Sequence, residues 1–233
     1  MKPTKKLPLF LVTGASGMGK STACQILFSR EKDYLVLESD ILWDERFNTP
    51  ENNYAPYRSL WMELCAGIAQ GGKPVVLCGC CVPEQFETRP QRGLFSDIYY
   101  LALVAEEETL LRRMTEGRGI TDSAWIQSSV DFNRWLRRNA GSTTPPVSLL
   151  DVTDLTPQET AQAIHRWVLE GMERSRGIFP RAVRAAPALG DSMSKSGAAA
   201  DREAGCCWPA SPWFRWRCPW RWRCITGGRP FGP

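Results

Sequence analysis

Short apolar runs alternate with stretches of helical periodicity from residue 7 to about residue 172. The runs at 7–13, 34–37, 73–79, 97–104 and 146–151 have the length and unbroken apolar character of strands buried in a parallel sheet. Between them the apolar positions recur at helical spacing, at 20–28, 57–69, 106–115, about 122–139 and from Thr156 onward. In the 57–69 segment Leu60, Trp61, Leu64 and Ile68 are expected on one side, with Gly71-Gly72 closing the helix. Thr156, Pro157 and Glu159 carry the signature of a capped start: a hydroxyl cap, a proline in the first turn and an acid three residues on. Five strands alternating with helices predict an α/β fold, a parallel sheet covered on both faces. Right-handed crossovers leave few topologies, and ligands in such sheets bind beyond the carboxyl ends of the strands.

The pattern stops near Met172-Glu173, which predicts a 1–173 domain and a 174–233 tail. The tail holds 11 of the 29 lysines and arginines but three of the 25 acids, so a basic tail and an acidic domain are averaged in the overall +4. Five of the ten tryptophans fall in it, within Pro212-Trp213-Phe214-Arg215-Trp216-Arg217-Cys218 and its neighbours. Alternating arginine and tryptophan suit a membrane surface or nucleic acid, and Cys206, Cys207, Cys218 and Cys224 are spaced in a way that suggests zinc. The favoured expectation is plainer: disorder, with a composition that resembles GC-rich DNA translated out of frame. The domain's cysteines lie in apolar surroundings, no run approaches a membrane span, and the basic start at Met1-Lys2-Pro3 leads straight into the first strand. A reduced, cytoplasmic location is therefore expected, with no membrane and no nucleic-acid partner for the domain.

The chemistry begins at Gly14-Ala15-Ser16-Gly17-Met18-Gly19-Lys20-Ser21, which matches G-x-x-x-x-G-K-[ST] at every fixed position and lies between a strand and a helix. Glycines there let backbone N–H groups turn inward on phosphate oxygens, and the following helix adds the positive end of its dipole. Gly14 to Thr22 is thus the expected nucleotide-binding segment, with Lys20 on the β- and γ-phosphates and the Ser21 hydroxyl on Mg²⁺. Asp40 follows the second strand and should face the same crevice, where a carboxylate accepts a proton from an acceptor hydroxyl or holds Mg²⁺. Glu38, two residues earlier, is the weaker candidate. The third strand ends without the acid that ATPases usually carry there. No N-K-x-D segment for guanine is present.

These motifs resemble the small-molecule kinases of the P-loop class: nucleoside and nucleotide kinases, gluconate kinase, adenylylsulfate kinase and chloramphenicol phosphotransferase. The resemblance covers roughly residues 7–172. It rests on the glycine loop, Asp40, the Leu110-Leu111-Arg112-Arg113 segment with Arg118, and Leu149-Leu150-Asp151-Val152-Thr153 before the capped last helix. It implies the P-loop NTPase three-layer α/β/α fold with a short arginine-bearing lid, and the use of ATP and Mg²⁺. Arg113 and Arg118 are then the lid arginines, catalytic with Lys20 and Asp40, and the loop around Asp151 and Thr153 passes beside adenine.

The acceptor site is expected after strands two and three and along the second helix, with Asp40, Trp43, Tyr57 and Arg58 as its residues. Arg58 suits a phosphate or carboxylate, and Trp43 or Tyr57 a ring; Trp61 reads as core. Cys78-Gly79-Cys80-Cys81 lacks the second ligand pair of a zinc site, and the lone His165 makes a histidine-based triad improbable. The expected activity is transfer of the ATP γ-phosphoryl group to a hydroxyl of a small, nucleoside-like acceptor by a monomer or homodimer. The rival is a nucleotide-dependent switch, hydrolysing ATP slowly and acting through its tail.

Overall fold

The computed structural model describes residues 6–177 of the chain; the expectations for the tail from 178 onward, including its cysteines and tryptophans, lie outside the described residues. Five strands, β1 (Leu9–Gly14), β2 (Leu35–Glu38), β3 (Val75–Cys78), β4 (Ile98–Val104) and β5 (Ser148–Asp151), form one sheet in the order β2-β3-β1-β4-β5. Every pairing is parallel; Leu9, for instance, is level with Val75 on one side and Ile98 on the other. The connections are α1 (Lys20–Arg30), α2 (Ala55–Gln70), the single-turn α3 (Glu84–Glu87), α4 (Glu107–Thr115) and α5 (Ser123–Asn139), and α6 (Pro157–Arg176) ends the described chain. The result is the expected three-layer α/β/α architecture.

The middle of the sheet is dry. Every residue of β1 and β3 is buried, and β4 nearly so, as strands covered on both faces require. Phe10 of β1 stacks on Tyr99 of β4, with Trp167 of α6 edge-on to it. The two edge strands are less covered: β2 fully buries only Val36, and in β5 Ser148, Leu149 and Asp151 are exposed although its sequence reads as a buried run. At the end of β4 the buried Asn133 of α5 completes the backbone, donating to the Ala105 carbonyl at 2.8 Å and accepting from the Ala105 N–H at 3.3 Å.

Two helices show how sequence sets local structure. On α6 the Thr156 hydroxyl accepts from the Glu159 N–H while the Glu159 carboxylate takes the Thr156 N–H, the reciprocal cap its residues predict. On α2 the expected stripe is rotated. Its buried residues are Tyr57, Arg58, Trp61, Met62, Cys65 and Ala66, whereas Leu64 is exposed and Leu60 and Ile68 only half-buried. The rows Tyr57-Trp61-Cys65 and Arg58-Met62-Ala66 each repeat every four residues, so the smaller side chains let the helix approach its neighbours closely. Among the described residues, no helix is long and apolar enough to cross a membrane.

Candidate active site

Because all five strands run in parallel, their carboxyl ends share one edge, and the segments that leave β1, β2 and β3 meet there. β2 and β3 are in register through Glu38 and Cys78, so the turn at Ser39–Leu42 emerges beside the 14–21 loop. Over this edge lies a cavity of about 460 Å³, bounded by the loop, by Asp40, by the aromatic face of α2 and by the 113–118 segment.

The loop is shaped by its glycines. Gly14 has φ 148°, and a Cβ there would lie 2.6 Å from the Leu103 carbonyl oxygen. Gly19 caps α1 at φ 83°, a left-handed conformation that side chains resist, and open space surrounds it. Ala15 and Met18 turn their side chains into the core, while Ser16, Gly17, Gly19, Lys20, Ser21 and Thr22 face the cavity. The Lys20 ammonium donates to the carbonyls of Gly14 at 2.8 Å and Ala15 at 2.9 Å.

The two acids at the end of β2, Glu38 in the strand and Asp40 in the turn that follows, have separate surroundings. Glu38 accepts the Ser21 hydroxyl. Asp40 lines the cavity, is exposed, and accepts from the Ser39 hydroxyl at 3.3 Å. The metal pair expected from the sequence was Ser21 with Asp40; here the carboxylate on Ser21 is that of Glu38. Hard oxygen donors of this kind suit Mg²⁺, and the chemistry of the Ser21 and Glu38 pair therefore fits that ion.

Trp43, Tyr57 and Arg58 lie together on the wall of the cavity, with Tyr54 beside them. Trp43 meets Tyr57 edge-on with ring centroids 5.1 Å apart, and Tyr54 at 6.1 Å. The Tyr57 hydroxyl donates to the Ser39 carbonyl at 2.5 Å, which ties α2 to the turn that carries Asp40. Burial pushes the phenols of Tyr57 and Tyr54 up to about 12, so both stay protonated. Arg58 is 7% exposed and donates to the Cys80 carbonyl at 2.7 Å. Trp61 is core, as read. Arg46 lies outside the cavity, over the Phe47 ring.

On the opposite wall, Arg118 donates to the Ser16 hydroxyl at 3.0 Å and its guanidinium sits 5.7 Å from the Trp125 ring centre. Arg113 also lines the cavity but donates to the carbonyls of Val152 at 2.8 Å and Thr153 at 3.3 Å, joining α4 to the segment after β5. Burial, and then the charge of Arg112, lower its pKa. That segment is fixed from within. Asp151 accepts from the Thr153 N–H at 2.9 Å and from Arg137, and these contacts outweigh burial in holding its carboxyl below the ordinary value. Arg134 and Arg137 are paired with acids, Glu107 for the first and Glu106 and Asp151 for the second.

The cysteine run diverges. Cys78 lies against Cys24, the Cys80 thiol donates to the Gly14 carbonyl at 3.1 Å, and the Cys81 backbone exchanges hydrogen bonds with the Thr13 hydroxyl. Among the described residues no group of three His, Cys, Asp or Glu is placed to hold a metal ion. His165 lies between Tyr34 and Glu31, on the α6 side of α1.

Trp125 escapes the sequence reading. Asp122 accepts from the Ala124 and Trp125 N–H groups and starts α5 directly after the arginine turn. An aromatic residue in the first turn of that helix is the only sign of it in the sequence.

No family model matches the chain, and no curated protein does. Solved structures do. A gluconokinase from Sinorhizobium meliloti 1021 is similar at 18% identity, over 75% of this chain and 99% of that one, with a TM-score of 0.55. An unliganded sugar kinase from Janibacter sp. HTCC2649 is similar at 18% identity, over 70% of this chain and 95% of that one, with a TM-score of 0.50. At such identity the likeness is one of fold, and the chain shares the three-layer α/β/α fold of these two structures.

Proposed function

We propose that the chain is an ATP-dependent phosphotransferase acting on a hydroxyl group of a small molecule. One observation carries the reading: a single cavity joins the phosphate loop and Arg118 at one end to Asp40 and the aromatic face of α2 at the other. Such a cavity holds a phosphoryl donor and a hydroxyl acceptor side by side, whereas slow hydrolysis coupled to a switch needs no second pocket. The fold shared with a gluconokinase and a sugar kinase supports it.

Phosphoryl transfer leaves the protein little covalent chemistry, so positioning and charge stabilisation dominate. Residues 14–22 cradle the ATP phosphates with backbone N–H groups. Lys20 exchanges its two loop carbonyls for phosphate oxygens. Ser21 and Glu38 would hold Mg²⁺, which would supply charge neutralisation for the phosphates. Asp40 orients the acceptor hydroxyl and takes its proton. Arg118, poised over Ser16, lays positive charge on the transferring group and helps exclude water. Arg113 holds the segment after β5 in place along the nucleotide side.

The nucleoside-like acceptor expected from the sequence remains one candidate class beside sugars and sugar acids. The test is ADP release by the full chain with ATP and Mg²⁺ against nucleosides, sugars, sugar acids and aminocyclitols. One acceptor should raise turnover well above the background, and Asp40→Asn should remove the gain. A flat panel despite measurable ATP binding would move the assignment to the switch.

A further inference from the structure

The cavity is bordered by an arginine that forms no ion pair among the described residues. Arg58 projects from the buried row of α2 and is 7% exposed, yet among the described residues no carboxylate lies within ion-pair distance of its guanidinium. Its one hydrogen bond goes to a neutral acceptor, the Cys80 carbonyl, and its buried Nε has no partner. Three rings surround it, with centres 5.9 Å (Tyr54), 5.3 Å (Tyr57) and 5.6 Å (Phe86) from the guanidinium carbon.

Three aromatic rings and one neutral carbonyl meet the guanidinium, and none of them carries a formal negative charge. A buried charge is ordinarily paired as well as hydrogen-bonded. Rings and carbonyl hold the guanidinium in one orientation without cancelling its charge. An apolar residue of similar volume would fill the row on α2 at lower cost, as Met62 and Ala66 do one and two turns on. The planar guanidinium fork is shaped for a carboxylate or phosphate, and this one borders the same cavity as Asp40.

We propose that the acceptor carries an oxyanion, a carboxylate or a phosphate ester, and that Arg58 receives it while Asp40 addresses the hydroxyl. The proposal rests on the kinase reading only in calling the ligand an acceptor. Tyr57 links the two ends of the acceptor, since its ring packs on Arg58 and its hydroxyl holds the Ser39 carbonyl beside Asp40. A neutral sugar or a free nucleoside leaves Arg58 unmet and is disfavoured.

Calorimetric binding to the full chain, with no turnover required, tests this with two matched pairs: D-gluconate against D-glucitol, and thymidine 5′-monophosphate against thymidine. A hydrogen-bonded charge pair contributes about 1.5–3 kcal/mol, so one anion should bind about 10–100 times more tightly than its neutral partner. The pair that discriminates distinguishes carboxylate from phosphate. Arg58→Gln should bring the ratio near one, and Arg58→Lys, which keeps the charge but not the fork, should leave it in between. Because Arg58→Gln disturbs a buried row, the wild-type ratio stands as its own test. Equal binding within both pairs, no binding of either anion, or a ratio that survives in a folded Arg58→Gln overturns the proposal. ADP release on the same ligands separates the two readings. A discriminating pair without turnover leaves the oxyanion site and removes the kinase; turnover on the neutral members alone does the reverse.

Discussion

Lys20 and Cys80 share one acceptor, the carbonyl oxygen of Gly14, at 2.8 Å from the ammonium and 3.1 Å from the thiol. The Cys80 carbonyl in turn receives Arg58. A continuous set of hydrogen bonds thus runs from the proposed acceptor anion, through one residue after β3, to the lysine of the phosphate loop. The two ends of the cavity are held in fixed relation by side-chain donors that converge on the backbone carbonyls of Gly14 and Cys80.

Lys20→Met should show that this lysine is held in reserve for phosphate. Its present partners are two loop carbonyls at a partly solvated edge, so its loss leaves water to replace it and the melting temperature within a few degrees of wild type. Turnover should fall at least about 10²–10³-fold, the usual cost of removing one donor aimed at developing charge. A large drop in melting temperature would make Lys20 a structural residue first.

Glu38 and Asp40 should separate in kinetics. Glu38→Gln weakens the oxygen pair with Ser21 and should raise the Mg²⁺ concentration for half-maximal turnover roughly tenfold, as loss of one charged ligand does. Asp40→Asn should leave that concentration unchanged while lowering kcat by about 10²–10⁴, the range for a lost general base. The reverse pattern in a Mg²⁺ titration would exchange the two roles.

The elements of this site differ in how far their residues announce them. The loop does so fully, because fixed glycines and a lysine between a strand and a helix leave no other arrangement. Strand positions follow from unbroken apolar runs, although nothing in Ser148-Leu149-Leu150-Asp151 marks β5 as an exposed edge. The face of α2 is misread for a physical reason: Arg58 ranks low as a core former and Cys65 and Ala66 bring little apolar area, so Leu60, Leu64 and Ile68 draw the stripe to the wrong side. Glu38 and Asp40 are two residues apart at a strand end, and only the tight turn at Ser39–Leu42 decides which one meets Ser21. Trp125 requires knowing that α5 folds back over the arginine turn, which is tertiary information.

Trp125 should act through Arg118. The stacked ring holds the guanidinium above Ser16, a contact worth about 0.5–1 kcal/mol at an exposed site. Trp125→Ala should therefore lower kcat about two- to fivefold with ATP affinity unchanged, and Trp125→Phe should restore most of it. Arg118→Ala should cost about 10²-fold or more. In the Arg118→Ala background, Trp125→Ala should add little, because contacting residues are not additive. Full additivity in this cycle, read as kcat, would detach the ring from the arginine.

Alkaline conditions should destabilise the fold through its buried thiols and phenols. Burial pushes the Cys65 thiol on α2 up from 9.0 to about 12 and the Cys81 thiol to about 11, and Tyr54 and Tyr57 also rise to about 12. Each group is held neutral in the folded state and ionises earlier in the unfolded chain. The folded state therefore binds more protons above the unfolded value, and stability falls as pH rises. For Cys65 the contribution is complete below pH 9 and is lost progressively as pH climbs toward 12. Within that window one such group adds about 1.4 kcal/mol of lost stability per pH unit. Urea unfolding from pH 8 to 11 should show little change up to about pH 9 and a steep loss beyond it. Cys65→Ala should be less stable at pH 8, since it opens space in the core, yet lose stability more slowly with pH. Parallel slopes for the two chains would mean that the Cys65 thiol ionises alike in folded and unfolded states, and that its place in the buried row of α2 does not protect it from water.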